Sequence, residues 1–167
     1  MTDSLSYSEI GATADPFLPD GYHHLRAYRE LGRGLELFER LGEAVLTWQV
    51  QERAGLRRVA GPERARLGAD VTFEVAGLRV PCRVVDLQEG PRRRGFSYGT
   101  RSGHPEVGEE RFMVDIGDDG LVTGTITAFS RPGRWYTRAA GPAGRLVQRL
   151  VTRRYLNALE ELARSSG

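Results

Sequence analysis

The chain has 167 residues, 40% of them apolar and 28% charged, with a formal net charge of +2. That length suits one domain with a substantial core, and so even a charge balance speaks against the basic stripe of a nucleic-acid-binding surface. The single cysteine, Cys82, excludes an internal disulfide and a multi-cysteine zinc site.

The opening Met1-Thr-Asp-Ser-Leu-Ser-Tyr-Ser-Glu lacks the basic-then-apolar order of a secretory leader. No apolar run approaches the roughly 20 residues that cross a bilayer. A cytoplasmic protein with no integral membrane segment is expected. Every basic residue is arginine, a bias expected of a GC-rich bacterial genome.

Residues 1–32 show no clean period, and 1–20 are expected as an extended lead-in to one domain spanning 1–167. Pro16 and Pro19 fix φ and turn their neighbours away from helix. His23 and His24 are adjacent, so a strand sends them to opposite faces and they make no metal pair. Leu35, Phe38, Leu41 and Val45 recur at helical spacing and predict a helix over 35–45. Leu46, Trp48 and Val50 alternate, which predicts a first strand over 46–51. A polar connection, 52–68, follows.

Val71–Val75 and Leu78–Val85, joined by Ala76-Gly77, read as a hairpin, with Val71, Phe73, Val75, Leu78, Val80, Cys82 and Val84 expected inward. Cys82 is expected to behave as a small buried hydrophobe. After the arginine-bearing turn 89–95, Phe96, Tyr98 and Thr100 alternate as a strand, and 109–116 forms the next. Asp118-Asp-Gly120 is a hairpin turn, leading to a threonine-rich strand over 121–130. Pro142 suits the first turn of a long helix, 142–164. Its apolar stripe is Val147, Leu150, Val151, Tyr155, Ala158, Leu159 and Leu162, with Arg145, Arg149 and Arg153 on another face. The elements make an α+β fold: a curved antiparallel sheet of about six or seven strands covered by one long C-terminal helix.

Leu31-Gly-Arg-Gly34, Trp48, Phe96-Ser-Tyr-Gly-Thr100, Gly103-His-Pro-Glu106, Gly108-Glu-Glu-Arg-Phe112 and Ala128-Phe-Ser-Arg-Pro132 together resemble domain-of-unknown-function family nineteen-ninety. The resemblance spans about Tyr22 to Leu162. The family looks related to the START-like, helix-grip superfamily, which implies a ligand cavity between sheet and helix. It implies no catalytic residue. The superfamily holds carriers and aromatic polyketide cyclases alike, so function has to come from the site.

Strand parity gives the sharpest expectation about that site. If Phe112, Val114 and Ile116 face the core, Glu110 does too, while Glu109, Arg111, Met113 and Asp115 face away. A carboxylate near an apolar interior must be neutral, paired or hydrogen-bonded, and Tyr98 and Arg131 are its expected partners. Candidate ligand-binding residues are Tyr98, Thr100, His104, Glu110, Arg131 and Trp48, with Glu110 and His104 as candidate acid–base groups. His104-Pro-Glu106 lacks a third ligand at suitable spacing, so no metal is expected. No glycine loop sits between strand and helix, and no cofactor is expected.

These residues support binding of a small, largely apolar or amphipathic molecule. An enzyme of the polyketide cyclase or hydrolase kind using Glu110 or His104 is the alternative. A third reading is a protein- or membrane-surface module acting through the arginine face of the last helix.

Overall fold

The computed structural model describes residues 4–165; the ends of the expected 1–167 domain, and Met1-Thr-Asp of the leader reading, lie outside the described residues. Seven strands build one antiparallel sheet: β1 (His23–Arg33), β2 (Arg57–Ala60), β3 (Asp70–Val75), β4 (Leu78–Glu89), β5 (Arg93–Thr100), β6 (Glu106–Ile116) and β7 (Leu121–Pro132). Their spatial order is β1-β7-β6-β5-β4-β3-β2. Helices α1 (Leu35–Leu46) and α2 (Gln49–Arg53) join β1 to β2, and α3 (Trp135–Ala140) and α4 (Pro142–Arg164) close the chain. Register shifts in the β1–β7, β2–β3 and β4–β5 pairings are bulges that bend the strands. The bent sheet wraps around α1, which packs on β5 and β6, and α4, which packs on β1 and β7.

Alternation sorts the sheet into two faces. Phe73, Val84, Phe96, Phe112, Val114, Val122 and Ile126 point toward the helices and form the core with Phe38, Leu41, Val45, Leu159 and Leu162. Each such side chain contributes about 1.5–3 kcal/mol on burial. Leu78, expected inward, lies beside the turn and is exposed instead.

Two expectations over the first 60 residues fail. Residues 23–33 form strand β1, paired with β7 from His23↔Ser130 to Arg33↔Leu121. Its inward positions are Leu25, Ala27, Arg29 and Leu31, and Arg29 interrupts the apolar alternation because its guanidinium pairs with Glu160 of α4 at 2.5 Å. Residues 46–51 are not a strand. Leu46 ends α1, Trp48 takes a left-handed turn at φ 66°, and α2 starts at Gln49. The apparent period of two arises where two short helices meet at an angle. The polar connection contains a strand of its own, β2.

The lead-in is not simply extended either. Leu5 bridges to Arg101, Ala12–Ala14 form a 3-10 turn, and the segment lies across the outer sheet face. There it covers Glu109 of β6, which is 3% exposed. Tyr7 Oη donates to Glu109 Oε2 at 2.6 Å, Gly11 N to Oε2 at 2.8 Å and Thr13 N to Oε1 at 3.1 Å; the Thr13 hydroxyl also donates to Oε1. Beside it Arg111 reaches Ser97 Oγ at 3.1 Å and pairs with Asp86. Glu109 and Arg111 do face away from the core, as parity requires, yet both are buried.

The seal needs room at Gly99, where an added Cβ would stand 2.1 Å from Tyr7 Oη. Gly99→Ala is therefore expected to lift the segment off the sheet and cost roughly 1–3 kcal/mol. Chemical denaturation measures this, and an unchanged midpoint would show that the seal gives way at no cost.

Candidate functional site

Glu110 is the next residue along β6 and lies on the opposite, inner face. It stands across the ladder from Tyr98 of β5 and Ala128 of β7. Tyr98 Oη donates to Glu110 Oε1 at 3.4 Å, a long bond. Protein surrounds the carboxyl, yet the residue keeps part of its accessible surface. Burial pushes its pKa up to about 7, offset in part by the Tyr98 hydroxyl.

Two further groups meet this pair. Tyr155 of α4 brings its phenol beside the Tyr98 hydroxyl, with its ring at right angles to Phe112 and 5.0 Å away. Cys82 of β4 is buried near Glu110, and burial raises its thiol pKa. Tyr98 in turn meets Phe73, Phe96 and Phe112 edge-on. The result is one carboxyl, two phenols and a thiol set in an aromatic wall. Two residue pairs farther along the ladder, Ser130 accepts from Gln148 Nε2 of α4 at 2.7 Å.

Of the residues singled out from sequence, the structure joins Tyr98 and Glu110 and separates the others. Arg131 is one position out of phase: it shares the outer face with Phe129, is exposed, and lies over the Tyr22 ring at 4.8 Å. It is not a partner of Glu110. Thr100 Oγ1 is committed to Ser6 Oγ and to Gly108 N. Trp48 has no accessible surface; its indole donates to Pro62 O at 2.8 Å and its ring packs on Phe73 and Phe96. His104 stays in its own loop, where Nδ1 accepts from Glu106 N at 2.9 Å, and burial lowers its pKa to about 4. A neutral imidazole with its proton on Nε2 follows. Glu106 shares the parity of Glu110, is half-buried, and has its pKa raised by burial.

Tyr155 and Cys82 are the inner polar groups that sequence reasoning placed simply in the core. Their signal was parity with Tyr98 across the sheet for Cys82; for Tyr155, helical spacing marked only an apolar stripe. That stripe is also half as long as expected. Tyr155, Ala158, Leu159 and Leu162 are buried, whereas Val147 and Leu150 are exposed. Within α2, Gln51 is fully buried with neither amide atom hydrogen-bonded. Two open surface recesses, one beside Arg40, Gln49 and Arg53 and one beside Pro16, Asp20 and His24, contain none of the inner polar groups. Neither gathers buried titratable groups as the Glu110 cluster does.

The raised Glu110 pKa has a stability consequence. The folded carboxyl keeps its proton up to about pH 7, while the unfolded chain releases it near 4.5. Its contribution is therefore complete below pH 4.5 and lost as pH rises to 7. At about 1.4 kcal/mol per unit, reduced for solvent access, the loss is on the order of 2 kcal/mol. His104, held near 4 against an ordinary 6.5, acts with the opposite sign over an overlapping range. Comparing wild type with Glu110→Gln cancels it. The variant is expected to gain on wild type between pH 5 and 8 in thermal unfolding, and parallel curves would place the titration elsewhere.

Comparison with known proteins gives a consistent picture. A protein-family model described as Domain of unknown function (DUF1990) matches residues 6–158. A UPF0548 protein of Deinococcus radiodurans is 33% identical over 172 residues, covering 95% of this chain and 87% of that one. Among solved structures, hypothetical protein jhp0584 of Helicobacter pylori superposes with a TM-score of 0.65 at 10% identity, over 98% of both chains. The di-domain ARO/CYC BexL of the BE-7585A biosynthetic pathway gives 0.56 at 12% identity, over 93% of this chain and 53% of that one. These likenesses show a helix-grip fold.

Proposed function

We propose that this chain, which belongs to the DUF1990 family, binds a small, largely apolar molecule between the sheet and α4, with the molecule's polar end at Glu110 and Tyr98. The observation that carries the reading is the contrast between two neighbouring carboxyls. Glu109 is held by four donors and has no capacity to spare. Glu110, with one long bond to Tyr98, has acceptor positions unfilled and, near neutral pH, a proton to offer. A buried polar group so thinly served is costly unless something else completes its bonding. Phe73, Phe96 and Phe112, packed in the core around Tyr98, make the surroundings of that head apolar, which suits an apolar or aromatic body.

A second reading draws on the same carboxyl. A group titrating near pH 7 in an apolar setting is matched to proton transfer, and BexL, with its ARO/CYC title, shares the fold. In that case Glu110 is the acid–base group and His104, kept neutral in its loop, is not.

Native mass spectrometry of the protein from its own host is expected to show a co-purified small molecule that is released on unfolding. Glu110→Gln is expected to retain that molecule with roughly ten-fold weaker affinity, about the worth of one charge-assisted hydrogen bond. Undiminished affinity with no turnover lost would remove Glu110 from the site. Unweakened retention of a substrate together with lost turnover would favour the enzyme.

A further inference from the structure

The acidic residues leave a large part of the chain empty. Between Asp119 and Glu160 there is no Asp or Glu, but there are seven arginines. With 7 of the 24 arginines and none of the 22 carboxylates there, the remainder of the chain is net −5. The run includes β7, α3 and most of α4, so these elements carry positive charge with no acidic residue of their own before Glu160. Among the described residues Arg134, Arg138, Arg145, Arg149 and Arg153 form no ion pair.

The same segment exposes its apolar side chains. Trp135 is 79% exposed, Leu146 59%, Val147 58% and Leu150 47%. On α4, Leu146, Val147 and Leu150 share one side by helical spacing, and Arg145, Arg149 and Arg153 run as the adjoining stripe. No carboxylate interrupts either. A solvated helix face carries mixed charges, and a core-facing one is covered; this one is neither. An apolar ridge bordered by arginines, with an indole beside it, is the composition of a helix that lies in a bilayer interface.

We propose that α3 and the first half of α4 are a docking surface for an anionic lipid bilayer, with Trp135, Leu146, Val147 and Leu150 entering the headgroup region and the arginines meeting anionic lipids. The occupant follows from charge and apolarity together. An acidic protein patch would satisfy the arginines but not the exposed indole and leucines. The proposal is independent of any ligand inside the fold.

The two tryptophans make the test direct, since Trp48 is fully buried and Trp135 is the exposed one. Vesicles of phosphatidylcholine with 30% phosphatidylglycerol are expected to shift the emission of the full chain to the blue, and Trp135→Phe to abolish the shift. Binding to these vesicles is expected to exceed that to pure phosphatidylcholine at least ten-fold. Arg145→Ser, Arg149→Ser and Arg153→Ser combined are expected to weaken it roughly 100-fold. Leu146→Ser with Leu150→Ser, both at exposed positions, is expected to weaken it with the charge intact. Equal binding to both vesicle types overturns the proposal. So does arginine-dependent binding to polyglutamate or to vesicles with no change in Trp135 emission, the signature of a polyanion or acidic protein partner.

Discussion

Strand alternation places two successive carboxyls in opposite environments, and the rest of the molecule is arranged around that division. Glu109 looks outward and Glu110 inward, because side chains on a strand change face at every residue. The outward carboxyl is made structural by chain from the other end of the sequence. The inward one is left with two phenols, a thiol and an aromatic setting, and only one long hydrogen bond. A one-residue slip would turn Glu109 or Arg111 inward without its outer-face partners, so the register of β6 is fixed by polar groups as well as by Phe112 and Val114.

The inner cluster depends on three strands and one helix at once. Cys82 comes from β4, Tyr98 from β5, Glu110 from β6 and Tyr155 from α4. The four are spread over more than seventy residues of sequence, yet the β4–β5 and β5–β6 registers place Val84 against Tyr98 and Tyr98 against Glu110. α4 contributes only through its second half. Its first half overhangs, so the helix both closes the fold and carries the exposed arginine-bordered ridge.

The later two-thirds of the fold was legible because β3 to β7 have apolar inner positions and short glycine-bearing turns. β1 was not, since Ala27 and Arg29 occupy inner positions where a strand pattern calls for large apolar side chains. The Leu46–Gln51 alternation misled because a backbone break at Trp48 resets the helical phase, and no periodicity spans a break. Parity was enough to bring Glu110 and Tyr98 together, and the same parity, applied along β7, would have sent Arg131 to the other face. The Glu109 seal was invisible for a different reason: two of its donors are the main-chain N–H groups of Gly11 and Thr13, which carry no residue-type signature.

That seal also has a history in time. Tyr7 and Glu109 are 102 residues apart, and Ser6 and Thr100 are 94 apart. Contacts of such span cannot form until β5 and β6 have paired and presented their outer face, since the closure entropy has no earlier reward. The N-terminal segment is thus fitted onto a finished sheet. Made last and held chiefly by polar bonds, it is the part of the fold whose amides should exchange with solvent by local opening, while those of β6 beneath it wait for global unfolding.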